Sequence, residues 1–327
     1  MARKVIIDKK YIRKEFKEKG GTSSVYIVED KKTKKIYAAK ILSSHSSLFY
    51  NEKDMLELLK DKNIPNIINL IDSGDGDIIN GNSIYKKQYL ILEYAEKGDL
   101  SQYINLTGKP LKETHAKLFF SKILKAVQLI HKNGICHRDL KTANILLDNK
   151  FFPKICDFGF ATFIEKKLRE ELGTHEYTAP EIYKGYYDGE KVDIFALGVI
   201  LFNLVTGKYG FTEAKTTNAF YKLIMLKNYS TFWDKYIKID GLSEEFKNLF
   251  VKMVAYNPFK RPTIEEILKD EWMEEINKKN EKEIDDIELE IYSDFLERER
   301  IVNDSTKKKV QIESDYNEDS YGIYDYF

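Results

Sequence analysis

One stretch of 25 residues, Ile135 to Gly159, constrains this chain more than any other: I-C-H-R-D-L-K-T-A-N-I-L-L-D-N-K-F-F-P-K-I-C-D-F-G. It places Asp139, Lys141, Asn144 and Asp157 on two short apolar segments joined by a turn, and the rest of the chain is organised around it. These residue types suit phosphoryl transfer. The transition state of that reaction spreads negative charge over phosphoryl oxygens, so a protein must orient a hydroxyl, hold Mg²⁺ on oxygen ligands and supply cationic donors. Asp139 can take the hydroxyl, Lys141 can neutralise the moving phosphate, and Asn144 with Asp157 can ligate the metal.

The two linked motifs, H-R-D-L-K-x-x-N and D-F-G, resemble those of the eukaryotic protein kinase family, serine/threonine type. The resemblance implies an α+β, two-lobed fold with a five-stranded N-lobe, its αC helix and a mainly helical C-lobe. It implies catalytic roles for Asp139, Lys141, Asn144, Lys40, Glu52 and Thr174, with Mg²⁺ on Asn144 and Asp157. By the same matching, ATP meets Lys17, Gly20, Gly21, Thr22, Ser23, Ser24, Val25, Ala38, Lys40, Glu93, Ala95, Asp99 and Leu146.

The chain has 327 residues, 43% of them hydrophobic, enough for both lobes and a packed core. Residues 1–10 read as a lead, 11–95 as the N-lobe, 96–273 as the C-lobe and 274–327 as an acidic helical, then mobile tail. Lysine plus arginine equals aspartate plus glutamate at 53 each, so no global field favours nucleic acid or a membrane surface. The only cysteines, Cys136 and Cys156, each precede a motif residue and suit a reducing compartment. With no apolar signal core at the start, and with the most apolar run, Ile194 to Val205, too short to span a bilayer, the expected location is cytoplasmic or nuclear.

Taken in order, Tyr11 to Leu42 reads as strands. The small-residue turn G-G-T-S-S-V lets the backbone approach phosphates closely. It departs from the family's glycine loop: with Val25 aligned to the motif valine, Glu18 and Ser23 stand where glycines are usual. Lys40 matches the third-strand lysine, and Glu52, within an apolar helical periodicity from Leu48 to Leu59, matches its αC partner. Leu56, Leu70, His137 and Phe158 match a hydrophobic spine based on Asp193. Asp72 to Lys87 reads as a long loop, and its resemblance to a calcium loop fails, because the sixth and twelfth positions from Asp75 are Asn80 and Lys86.

Lys112 to Asn133 predicts a long amphipathic helix, and further helices are expected from Val192, over Ala214 to Lys227, Ser243 to Val254 and Thr263 to Lys269. Arg261 matches the arginine that pairs with the A-P-E glutamate, here Glu181. Glu274 to Glu299 carries eleven acids and four bases around an Ile284, Ile287, Ile291, Phe295 stripe, which predicts an acidic amphipathic helix and argues against a calmodulin target. The terminal Tyr324 to Phe327 reads either as a mobile end or as an aromatic docking tail.

Lys141 and Thr174 look like those of serine/threonine kinases, and the overall pattern leans toward the calcium/calmodulin-dependent-like group without a calcium module. The expected partner is a protein substrate phosphorylated on serine or threonine. With Ala143 and Asn203 where strongly basophilic relatives have glutamate, at most one arginine before the target residue is expected. Two alternatives stand beside this reading: a pseudokinase scaffold, supported by the altered glycine loop, and a small-molecule kinase. In the activation segment, Glu170 or Glu171 occupies the phosphorylated position, and either is expected to stand in for a phosphate opposite Arg138.

Overall fold

The computed structural model describes residues 5–19, 23–42, 47–62, 64–80, 83–165, 167–236 and 241–320; at 5, 18–19, 80 and 306–320 it describes the backbone alone. The strand pattern of the first forty residues produces β1 (Val5–Ile7), β2 (Tyr11–Lys19), β3 (Ser23–Asp30) and β4 (Ile36–Leu42). After helix α1 (Ser47–Lys60) come β5 (Leu70–Asn80) and β6 (Ser83–Leu92). All pairings are antiparallel, in the order β1-β2-β3-β4-β6-β5, and β1 also pairs with β5.

Two expectations are corrected here. The small lobe has six strands among the described residues rather than five, because the lead segment contributes β1: Ile6 lies opposite Ile12 on one side and Ile79 on the other. Ile7 is driven into a cluster with Tyr11, Val28, Ala39, Ile78, Tyr89 and Ile91, and Lys10 Nζ and Tyr11 Oη both donate to Asp72, at 2.7 and 2.8 Å. Second, Asp72 to Lys87 is not a loop but the body of a long β5–β6 hairpin, with Asp75 opposite Gln88 and Asp77 opposite Lys86. The sequence disguises a strand because Gly74 and Gly76 lie under the Tyr89 ring. A Cβ on Gly74 would fall 2.8 Å from the Tyr89 oxygen, so the aromatic ring needs glycine there.

The large lobe begins with a π turn at Gln102–Leu106 and helix α2 (Glu113–Lys132). Short strands follow: β7 (Ile135–Cys136), β8 (Ile145–Leu147), β9 (Pro153–Ile155) and β10 (Thr162–Phe163), with β7 paired to β10 and β8 to β9. Helix α3 (Gly189–Thr206) runs through the core with Asp188 as its cap, its side chain accepting from Glu190 N at 3.0 Å. Of the helix expected over 214–227 only α4 (Ala219–Met225) forms. Asn218 caps it by accepting from Phe220 N and Tyr221 N at 3.1 and 3.0 Å, so the chain before it cannot be helical.

Helices α5 (Tyr229–Trp233), α6 (Glu244–Met253), α7 (Ile264–Leu268) and α8 (Glu274–Asn277) complete the lobe, and a final helix, α9, spans Glu281–Ser320. Ile287, Ile291 and Phe295 of α9 are buried, as the periodicity requires. The aromatic end, Tyr324 to Phe327, lies outside the described residues. One apolar core runs from α1 through α2 and α3 to α9. No described helix is long and apolar enough to cross a membrane.

Candidate active site

Between the lobes, β4 and α1 each deliver one charged side chain inward. Lys40 Nζ donates to Glu52 Oε2 at 2.6 Å and to Asp157 Oδ1 at 3.0 Å. Burial by itself would lower the Lys40 ammonium, but the charges of Glu52 and Asp157 outweigh it and hold it above its ordinary range. Burial pushes the Glu52 carboxyl up against the pull of Lys40. For Asp157 burial pushes upward too, yet Lys40 prevails and the carboxyl sits below its usual value. Two acids sharing one ammonium leave surplus negative charge in the cleft, an environment that favours a cation.

Asn51, next to Glu52, was not singled out from the sequence. Its Nδ2 donates to Ala161 O at 2.7 Å and Gly159 O at 3.0 Å, tying α1 to the backbone just beyond Asp157. A lone asparagine on a helix has no pattern that announces such a partner.

The catalytic-loop stretch is held from below. Asp193, fully buried on α3, accepts from His137 N and Arg138 N, both at 2.8 Å, and sits 2.9 Å from His131 Nε2. Burial would raise its carboxyl, but hydrogen bonding from His131 keeps it low, so it remains a charged anchor. Arg138 and Asp157 take left-handed backbone conformations, φ 65° and 63°, which cost strain in non-glycine residues and recur at functional sites. Of the four residues expected to form a spine, His137 and Phe158 have their rings 5.0 Å apart, and Leu56 and Leu70 are buried in the large core that also holds Phe158.

Asp139 is the hub. Its Oδ2 accepts from Lys141 Nζ at 2.8 Å and Asn144 Nδ2 at 3.0 Å, and its Oδ1 accepts from Thr174 Oγ1 at 3.2 Å. Lys141 Nζ also donates to Thr174 Oγ1 at 2.9 Å, and Asn144 Nδ2 to Asp139 O at 2.9 Å. With both contacts of Asn144 made through its nitrogen, its amide oxygen is the atom suited to a cation. Asn144 and Asp157 thus offer hard oxygen donors. Mg²⁺ characteristically takes one or two protein oxygens of this kind and completes its shell with phosphate and water.

Around the expected nucleotide position, Val25, Ala38 and Leu146 are half-buried, and Ala38 lies opposite Leu92 while Val25 lies opposite Lys40. Ser23 is buried and Ser24 half-buried; Gly20, Gly21 and Thr22 lie outside the described residues. Lys17 is exposed at a bulge in β2, where the register with β3 shifts between Phe16 and Glu18. Glu93 spends its side chain on Asn69 Nδ2 at 2.7 Å and Lys154 Nζ at 2.7 Å, leaving only backbone for a ligand, and Ala95 is buried. Asp99 accepts from Gln102 Nε2 at 2.5 Å and from the Ser101 hydroxyl, and pairs through its backbone with Leu146.

Cys156 directly precedes Asp157, and burial pushes its thiol well above the ordinary range, so Lys40 does not activate it. In the activation segment Arg138 Nε donates to Phe160 O at 2.7 Å and Nη1 to Glu170 Oε2 at 2.5 Å, while Tyr187 Oη donates to Glu170 O at 2.8 Å. Of the two candidate stand-ins the arginine selects Glu170.

The protein kinase domain family matches residues 17–273. Sperm motility kinase 2B of Mus musculus is 32% identical over 259 residues, 78% of this chain and 50% of its own length. Serine/threonine-protein kinase SIK1 of Rattus norvegicus is 30% identical over 265 residues, 78% of this chain and 32% of its own length. The match therefore spans half or less of the full length of these relatives. A family match over most of the chain coincides with a Lys40–Glu52–Asp157 triangle and an H-R-D loop hung from Asp193, and on both grounds the chain belongs to the protein kinase domain family.

Proposed function

We propose that this kinase is catalytically active and transfers the γ-phosphoryl group of ATP to a serine or threonine hydroxyl of a protein. The observation that carries the reading is Asp139, buried, with its carboxylate held by Lys141, Asn144 and Thr174. The incoming hydroxyl donates to Asp139, which orients its oxygen toward the γ-phosphorus and accepts its proton as the new P–O bond forms. The bond to the β–γ bridging oxygen breaks and ADP leaves with that electron pair. Lys141 balances charge on the transferred group and Lys40 fixes the α- and β-phosphates. Asn144 and Asp157 are the residues that would hold Mg²⁺, which supplies charge neutralisation when bound.

Purified protein incubated with radiolabelled ATP, Mg²⁺ and a generic protein substrate should label serine or threonine, as read by phosphoamino-acid separation. Nucleotide binding without transfer would establish the scaffold reading instead, and label on a small molecule alone would establish a small-molecule kinase. With Asn203 fully buried and its Nδ2 bonded to Asn105 Oδ1 at 2.8 Å, no acid from α3 reaches a basic substrate residue there, which supports a preference for at most one arginine.

The Arg138–Glu170 pair supports activity without activation-segment phosphorylation. A glutamate has less charge than a phosphate, but it occupies the guanidinium in the same way. Protein made in bacteria and treated with phosphatase should keep its activity. Glu170→Ala should reduce it on the order of 3- to 10-fold, a modest figure because Glu170 is largely exposed. Loss of activity on phosphatase treatment, or an unaffected Glu170→Ala, defeats the stand-in.

A further inference from the structure

Helix α9 lies beyond the family match yet grips the segment that follows β6. Phe295 is fully buried, stacked 5.7 Å from Phe119 and 5.4 Å from both Tyr103 and Phe151. Arg298 is 3% exposed, and its guanidinium donates to Lys109 O at 2.6 Å, Pro110 O at 2.8 Å and Tyr103 O at 3.2 Å. A buried guanidinium is tolerated only when its donors are satisfied. These carbonyls belong to the π turn and the loop after it, so docking of α9 orders that part of the backbone.

The next residue reaches further. Glu299 accepts from Lys97 Nζ through both oxygens, each at 3.0 Å, and the same ammonium lies 4.9 Å above the Phe151 ring. Lys97 O accepts from Tyr103 Oη at 2.8 Å, Lys97 N donates to Leu147 O at 3.0 Å, and Leu147 N donates to Gly98 O at 2.8 Å. Asp99 then pairs with Leu146. Two groups expected at the nucleotide, Asp99 and Leu146, thus sit on a short ladder whose outer side is fastened to α9.

We propose that Glu299, with Phe295 and Arg298 seating its helix, is a positioning residue for ATP: it holds the Lys97–Asp99 segment in register with β8, and so acts on nucleotide affinity rather than on the chemical step. A helix that merely covered an apolar face would need only the stripe of Ile287, Ile291 and Phe295. The Glu299–Lys97 pair is not part of that stripe and is aimed at the segment between β6 and the π turn. This inference rests on the proposal that ATP binds between the lobes.

The test uses the full chain with Glu299→Lys, Lys97→Glu and the charge-reversed double variant. Neither side chain is in the core, so melting temperatures should stay close to wild type. Glu299→Lys should raise KM for ATP by about two- to fivefold, the range expected for one partly exposed pair, with kcat little changed. The double variant should recover most of the loss, because it restores the pair in reverse. If wild type shows an ATP-dependent rise in melting temperature but Glu299→Lys leaves KM unchanged, or the double variant fails to recover it, the positioning role is wrong. Absence of any nucleotide-dependent rise in wild type would instead overturn the ATP site, and this inference with it.

Discussion

Asp139→Asn, Lys40→Met and Asp157→Ala should each lower turnover by about 10²- to 10⁴-fold while the protein remains folded. The size follows from where each group sits. In the proposed mechanism Asp139 accepts the hydroxyl proton, and an amide in its place keeps the shape but cannot act as a base. Lys40 is the ammonium shared by Glu52 and Asp157, so methionine removes the positive charge that would meet the phosphates. The fold should survive that change because burial already pushes the Glu52 carboxyl up, toward its neutral form, and loss of Lys40 removes the charge that opposes this. Asp157→Ala removes an oxygen ligand but leaves the Lys40–Glu52 bond in place. Steady-state phosphate transfer beside melting curves checks all three, and retention of more than about a tenth of wild-type turnover by any of them would remove that residue from the mechanism.

Arg261→Ala should destabilise the protein by about 3 to 5 kcal/mol, a large share of the roughly 5 to 15 kcal/mol that holds a typical domain together. Arg261 is 2% exposed and binds Glu181 through two parallel bonds, Nη1 to Oε1 at 2.6 Å and Nη2 to Oε2 at 2.7 Å. It also donates to Ala255 O at 2.9 Å and Lys191 O at 2.8 Å. Its loss strands a buried carboxylate and two carbonyls, and the penalty comes from those orphaned groups more than from the missing attraction. The expected fall in melting temperature is about 10 °C. Glu181→Gln combined with Arg261→Leu should cost less than Arg261→Ala alone, since no charge is then left buried without a partner. A fall of under about 2 °C for Arg261→Ala would show that the pair is solvated or replaceable.

What the amino-acid order determined by itself was the family and the local elements that carry its motifs. Asp139, Lys141 and Asn144 lie within six residues of one another, so their spacing already implies a shared site, and the structure gathers them within 3.0 Å contacts. The stripe Ile287, Ile291, Phe295 likewise identified the inward face of α9, because helical period is a local property. Only the tertiary structure decided what those faces meet. The contact of β1 with β5, the strand hidden by Gly74 and Gly76 under Tyr89, the reach of Asn51 to Ala161 and the choice of Glu170 over Glu171 all depend on partners far along the chain. Lys97 and Glu299 are 202 residues apart, and nothing in either neighbourhood names the other. Periodicity states which side of an element is apolar or charged; the partner is chosen by shape and by the need to satisfy each buried polar group, and both exist only once the chain is folded.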